Sequence, residues 1–264
     1  MDSAKFVGSI PENYDQYLGP HIFEGYADDL ARRISILNPG SVLELASGTG
    51  ILTRKIGSLL DRACDLIASD LNEPMLEVAR AKFDDGDEVK FEVADAMELP
   101  YANERFDVVT CQFGVMFFPD KTRSYQEAHR VLKYGGAYVF SVWGPWATNP
   151  FARIAHETVA SFFPDNPPGF YKVPFGYHDG DEIRRVLESA GFSPVSTEEV
   201  NLTSKIMSPD EFARGLVFGN PLYQEVTDRG GDVNEVCDAV SASIEQELGS
   251  EMPLQAVVVT AYKN

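Results

Sequence analysis

The run VLELASGTGILT, Val42–Thr53, constrains the fold more than any other part of the chain. Val42, Leu43 and Leu45 make a short β-compatible stretch that closes on a turn holding Gly48 and Gly50. A helical pattern of Ile51, Leu52, Ile56, Leu59 and Leu60 follows. The spacing predicts strand, tight turn and helix. Such a unit aims the free N–H groups of a helix start at whatever lies above the strand, and glycine lets a ligand approach without meeting a Cβ. A nucleotide-like ligand is the first expectation. A lysine-bearing phosphate loop is excluded, because Ile51 and Leu52 stand where it needs Lys and a hydroxyl residue. A dinucleotide site stays open, as does a turn that merely joins strand to helix.

The same alternation repeats downstream. CDLIASD (64–70) reads as a strand ending in Asp70, with a helix from Glu73 that presents Met75, Leu76, Val78 and Ala79. EVKFEVADA (88–96) is a strand ending in Asp95, and FDVVTCQF (106–113) is a fourth. A helix over 122–132 ends at Gly135 and Gly136, and AYVFSVW (137–143) is a fifth strand. This order predicts an α/β fold with a parallel sheet and helices on both faces, and in such sheets ligands sit at the carboxyl ends of the strands. Asp70 falls 20 residues after Gly50, where a carboxylate can accept hydrogen bonds from both ribose hydroxyls.

A nicotinamide dehydrogenase can present the same turn and ribose carboxylate. Three features separate the cofactors. Glu44 suits a ligand bearing an ammonium, Thr53 stands where a dinucleotide fingerprint has its third glycine, and Asp95 with Ala96 can serve an adenine amine and its ring face. Together these residues resemble the class I S-adenosylmethionine-dependent methyltransferases, in particular the bacterial small-molecule branch with a quinone-biosynthesis-like methyltransferase domain. The resemblance covers residues 40–143 well, and more weakly FVGSIPENYDQYLGP near the start and MPLQAVVVTAYKN at the end. It implies a Rossmann-like seven-stranded mixed sheet with helices on both faces, a last strand inserted antiparallel beside the fifth, and a largely helical substrate lid. It implies S-adenosyl-L-methionine as cofactor, with Glu44, Ala46, Ser47, Gly48 and Gly50 at its methionine part and Asp70 at the ribose. Leu71 and Met75 would lie against the adenine, Asp95, Ala96 and Met97 would close its edge, and Gln112 and Phe113 would flank the sulfonium. The family commonly has glycine where this chain has Ala46, a tolerable change at negative φ and a costly one at positive φ.

Each of these residues also has a plainer reading. Glu44 can pair with a surface base, although a carboxylate between Leu43 and Leu45 is costly to bury without a specific partner. Asp70 and Asp95 can be helix caps, and Met75, Gln112 and Phe113 can be core. Tyr14 and Tyr17 either cap the cofactor or pack on the sheet.

The implied organisation is an N-terminal segment and first helix (1–37), a cofactor core (38–144), a lid insertion (145–178), a core helix and strand (179–207), a helical lid insertion of two or three helices (208–249) and a final strand (250–264). The first insertion concentrates Phe162, Phe163, Phe170, Tyr171, Phe175 and Tyr177, which suits an apolar or aromatic acceptor as well as it suits a lid packed on itself. No catalytic group is identified. His178, His156 and Tyr17 are the candidates should the acceptor need to lose a proton, and His129 reads as structural.

The formal charge of −19, from 41 acidic and 22 basic residues, disfavours nucleic acid and anionic membrane surfaces as partners. Cys64, Cys111 and Cys237 lack metal or redox spacing and read as free thiols, and no metal site is indicated. The chain shows no signal-peptide core or membrane span, so a cytoplasmic enzyme on a small-molecule acceptor is expected, with a homodimer allowed. The expected activity is methyl transfer to O, C or N of that acceptor. The alternatives are a nicotinamide-dependent oxidoreductase and a non-catalytic S-adenosylmethionine-binding protein.

Overall fold

The computed structural model describes residues 5–84 and 86–264; the first four residues of the N-terminal segment and position 85 lie outside the described residues. A four-residue helix α1 (Ile10–Asn13) runs into a wide π-helical stretch, Tyr14–Phe23, and then into α2 (Glu24–Ile36). The core follows as β1 (Ser41–Glu44), α3 (Ile51–Leu59), β2 (Asp65–Asp70), α4 (Glu73–Arg80), β3 (Val89–Val93), β4 (Phe106–Gln112), α5 (Lys121–Val131) and β5 (Leu132–Trp143). The remainder is α6 (Pro150–Phe162), α7 (Gly180–Ser189), β6 (Val195–Lys205), α8 (Pro209–Phe218), α9 (Leu222–Asp228), α10 (Val233–Leu248) and β7 (Glu251–Tyr262).

The seven strands form one mixed sheet in the order β3-β2-β1-β4-β5-β7-β6. The first five are parallel, and β7 inserts antiparallel between β5 and β6. The α/β, Rossmann-like architecture expected from the sequence is therefore present. Alternate residues of the strands face opposite sides. Val42, Leu66, Val108 and Val139 pack with Ala27, Leu30, Ala31 and Ile34 of α2, whereas Leu43, Ile67, Val109 and Tyr138 belong to the other layer. Burial on both faces explains why β1 is apolar without alternation, while the edge strand β6 alternates between half-buried and exposed positions over most of its length.

Two boundaries differ from the sequence reading. β5 begins at Leu132, directly where α5 stops, so Gly135 and Gly136 lie inside the strand and do not end a helix. The pairing with β4 shifts register between Phe106 and Val108 at that point, and Gly135 adopts φ +78°. β3 stops at Val93, so Asp95 belongs to the turn beyond the strand. The second insertion contains three helices, α8 to α10.

Candidate active site

The chain reverses strand order between β1 and β4, and the residues singled out in the sequence gather at that switch point. Glu44 ends β1 between Ala68 and Thr110 and is only 1% exposed. Among the described residues its one hydrogen bond from a side chain comes from Thr53, whose hydroxyl donates to Oε2 at 2.7 Å. This explains the threonine at the third-glycine position: it supports the carboxylate from the first turn of α3. Burial pushes the Glu44 pKa up to about 8, opposed by the Thr53 hydrogen bond and aided by the Asp70 charge. Asp70 ends β2 and is 6% exposed. Its Oδ2 accepts from the Gly48 amide at 2.9 Å and its Oδ1 from the Asn72 amide at 2.8 Å, so the carboxylate ties the glycine turn to the start of α4. Burial raises its pKa, against those hydrogen bonds.

Ala46 adopts φ +50°, the costly case for a residue with a Cβ. A left-handed alanine is disfavoured by about 1–2 kcal/mol. It is held there by its neighbours, and a Cβ added to Gly114 would come within 2.5 Å of the Ala46 methyl. Position 114 must be bare, because the Ala46 methyl and the Cys111 Sγ, at 2.6 Å, both stand where its Cβ would go. Gly50 adopts φ +78° and packs against Ala79 of α4, where an added Cβ would come within 3.1 Å.

A cavity of about 660 Å³ opens above this switch point. Ala46, Gly48, Asp70, Met75, Asp95 and Gln112 border one end of it, with Leu71, Ala96 and Met97 alongside. Asp95 accepts from the Met97 amide through Oδ1 at 2.8 Å, leaving its other oxygen available. A narrow crevice continues from the cavity past Tyr14, Ser47 and Gly48 to Glu44. Two buried polar atoms here have no hydrogen-bond partner: Ser47 Oγ and Gln112 Oε1. The Gln112 amide is fixed by donating to the Phe23 carbonyl at 2.9 Å. Tyr14, from the π-helical stretch, borders both spaces and stacks on Phe23 at 4.8 Å.

The other end of the cavity is aromatic. Phe113 stacks on Trp143 at 3.8 Å with an interplanar angle of 5°, and Phe175 stacks on the same indole at 5.7 Å. Phe113 holds this place with φ +52°. Phe117, Phe151, Phe170 and Tyr171 complete the chamber, and the second insertion adds Leu216 and Asn220.

The structure gathers every predicted cofactor residue at the cavity or crevice except Gly50. It does not bring His156, His178 or Tyr17 to the wall. The His156 ring packs on Trp146 at 4.9 Å, and Tyr17 lies 5.7 Å from the Arg214 guanidinium. Of the lid aromatics, Phe170, Tyr171 and Phe175 reach the cavity. Phe163 covers Gly231, and Tyr177 turns to the Tyr125 hydroxyl at 3.2 Å. Sequence reasoning missed Phe6, Phe23, Lys121, Trp143 and Asn220. Trp143 carried a usable signal, since it ends β5 as Asp70 ends β2; the others come together only through tertiary packing.

This sheet order, with an acidic residue closing β1 and another closing β2 around a glycine turn, defines a class I S-adenosylmethionine-dependent methyltransferase. The chain belongs to the ubiE/COQ5 methyltransferase family, whose model matches residues 4–164. It is similar to the ubiquinone/menaquinone biosynthesis C-methyltransferase UbiE of Ectopseudomonas mendocina, with 34% identity over 78% of this chain and 86% of that one. It is also similar to the demethylmenaquinone methyltransferase of Lactobacillus johnsonii, with 27% identity over 67% of this chain and 78% of the relative. Among solved structures, Haemonchus contortus phosphoethanolamine N-methyltransferase 2 in complex with S-adenosyl-L-methionine shares the fold, with a TM-score of 0.60 and 16% identity over 96% of this chain and 57% of that one. The protein is therefore an enzyme that transfers a methyl group from S-adenosylmethionine, and neither the oxidoreductase nor the non-catalytic reading is favoured.

Proposed function

We propose that the acceptor is a compact aromatic ring of quinone type, methylated at ring carbon, and that it occupies the aromatic chamber while the strand ends hold the cofactor. The observation that carries this reading is the division of the one cavity. Its polar end has Asp70 and Asp95 and leads to Glu44; its other end is walled by Phe113, Trp143, Phe170 and Phe175. That the two relatives named above are a ubiquinone/menaquinone biosynthesis C-methyltransferase and a demethylmenaquinone methyltransferase supports a quinone-type ring.

The residues present fit the cofactor. Among the described residues Glu44 has no cationic partner and suits an ammonium, while Ser47 Oγ and Gln112 Oε1, which lack partners among those residues, offer it further polar contacts. Asp70 would hold the ribose, and the available oxygen of Asp95 would accept from the adenine amine between Leu71, Met75, Ala96 and Met97. Gly48 and Ala46 would shape the turn beneath, with Phe113 and Tyr14 walling the reacting end. When bound, S-adenosylmethionine supplies an electrophilic methyl on sulfur. This chain's part is to align the ring, within about 3–3.5 Å of the methyl, and to exclude water. A hydroquinone carries its own activating oxygens, which suits a chamber wall without histidine.

In this reading residues 38–144 hold the cofactor and also give Phe113 and Trp143 to the acceptor chamber, which 145–178 and 208–249 complete. Among the described residues no helix is long and apolar enough to cross a membrane. The unpaired thiols and the charge of −19 support a small-molecule enzyme of a reducing compartment, the cytoplasm, over a nucleic-acid modifier. The test is incubation with S-adenosylmethionine and a reduced, short-tailed naphthoquinone lacking its ring methyl, with mass spectrometry for a C-methylated ring and S-adenosylhomocysteine. Turnover of amines or catechols with none of the naphthoquinol would overturn the proposal.

A further inference from the structure

The cavity wall carries three charged side chains: Asp70, Asp95 and Lys121. The two carboxylates lie at the cofactor end, which leaves Lys121 without a task in the function proposed above. Its position is unfavourable for a merely structural lysine. Lys121 is the first residue of α5, immediately after the N-cap Asp120, whose side chain accepts from the Arg123 amide. A cation there meets the positive end of the helix dipole. The Lys121 ammonium donates to the carbonyls of Met116 and Phe118, at 3.3 and 3.1 Å, and sits 4.7 Å from the centre of the Tyr177 ring. These neighbours fix the ammonium at the wall, but none bears a full negative charge.

Among the described residues Lys121 forms no ion pair, and Glu182 of α7 acts on it only as a longer-range charge. Burial lowers its pKa, with Glu182 opposing. A half-buried cation that lacks a counter-ion and borders a largely apolar chamber is costly to keep unless something brings it an anion. Among the described residues no carboxylate forms an ion pair with it, although the chain has 41 acidic residues.

We infer that Lys121 is an acceptor-recognition residue, whose ammonium pairs with an ionised oxygen, phenolate or carboxylate, on the aromatic acceptor. The inference rests on the reading of the chamber as the acceptor site. It also fixes the direction of binding, because Asp70 and Asp95 repel an anionic oxygen from the opposite end. A charge-assisted hydrogen bond formed away from water separates ionised from neutral ligands, since the neutral analogue leaves the lysine unpaired.

The experiment measures binding of four probes to the complex with S-adenosylhomocysteine: naphthoate, naphthamide, a dinitronaphthol that is ionised at neutral pH, and neutral naphthol. The wild-type protein should favour the ionised member of at least one pair by about tenfold or more. A preference confined to naphthoate identifies a carboxylate, and one confined to the nitronaphthol a phenolate. Lys121→Gln should abolish the preference with affinity for S-adenosylhomocysteine unchanged, and Lys121→Arg should retain it. A preference that survives Lys121→Gln, or a loss of cofactor-product affinity alongside it, overturns the assignment. Failure of all four probes to bind wild type would instead overturn the aromatic-acceptor reading beneath it.

Discussion

Glu44 shows how one residue couples the sequence to a measurable property. Burial raises its pKa to about 8 from the ordinary 4.5, so in the empty enzyme at neutral pH it is mostly protonated. An ammonium partner needs the carboxylate, and binding must therefore release a proton. The sign follows from the linkage relation: cofactor affinity is greatest above the raised pKa and falls as the pH drops below it. Calorimetry in buffers of different ionisation enthalpy, from about pH 6 to about pH 8, should show affinity rising with pH and about one proton released near pH 7. Glu44→Gln should weaken binding by roughly 1.5–3 kcal/mol, the range for a hydrogen bond to a charged group, and remove most of the pH dependence. A flat profile in the wild type would show that Glu44 does not meet the ammonium. Asp70 is shifted in the same direction, so the glutamine variant is needed to isolate Glu44. For the empty protein the same shift means that stability from this group is full below pH 4.5 and is lost as the pH rises through about 8. Glu44 and Asp70 could be singled out from the sequence because each closes an apolar strand. The positive φ of Ala46 was not legible, since no local pattern announces a left-handed alanine or its close approach to Gly114 across the turn.

Between elements, the least legible feature is the contact of the N-terminal π-helical stretch with the glycine turn. Asp15 accepts from the Thr49 hydroxyl at 2.6 Å and from the ammonium of Lys82, which also donates to the Thr49 carbonyl at 2.8 Å. This network fastens the stretch beside Tyr14, which borders the crevice leading to Glu44. On the other side α8 approaches so closely that a Cβ on Gly215 would come within 2.9 Å of the Tyr17 backbone. The stretch is thus clamped between the second insertion and the cofactor turn, and a ligand in the crevice is covered by it. Asp15→Ala removes the carboxylate that both Thr49 and Lys82 use. It should speed release of S-adenosylmethionine and S-adenosylhomocysteine by a similar factor, on the order of tenfold for a lost charge-assisted bond. Stopped-flow displacement measures both rates, and unchanged release in a folded variant would remove the latch from the account. No local pattern announces such a network, because Asp15, Thr49 and Lys82 lie far apart in sequence. The strands could be read from apolar runs and turn residues, whereas Lys121 and Asn220 reach the cavity only once the helices have packed. The same holds for His156 and His178, which read equally as histidines without catalytic duty: chain position within an insertion does not say which face a side chain takes.

The whole molecule is an acidic body, with one buried carboxylate, Glu44, on the crevice and another, Asp70, on the cavity beside it. S-adenosylmethionine carries a sulfonium and an ammonium against one carboxylate and is a net cation; nicotinamide dinucleotides carry phosphates and are anions. A formal charge of −19 therefore attracts one and repels the other before any contact is made. Salt weakens this field, as the screening length shrinks to about 8 Å near physiological ionic strength. Association of S-adenosylmethionine should therefore slow as salt is added, and that of the neutral product S-adenosylhomocysteine should change less. In the site proposed here a bound cofactor would join parts of the chain that no single element connects: the ends of β1 and β2, the turn after β3 and the π-helical stretch. Unfolding must then release the ligand. At a concentration about a hundred times its Kd, a ligand confined to the native state adds about 2.7 kcal/mol, which for a chain of this size raises Tm by roughly 5–10 °C. Calorimetric melts with saturating S-adenosylmethionine should show that rise, and melts with either nicotinamide dinucleotide should show none. A shift with the dinucleotide and none with S-adenosylmethionine would contradict both the electrostatic argument and the assignment of the crevice.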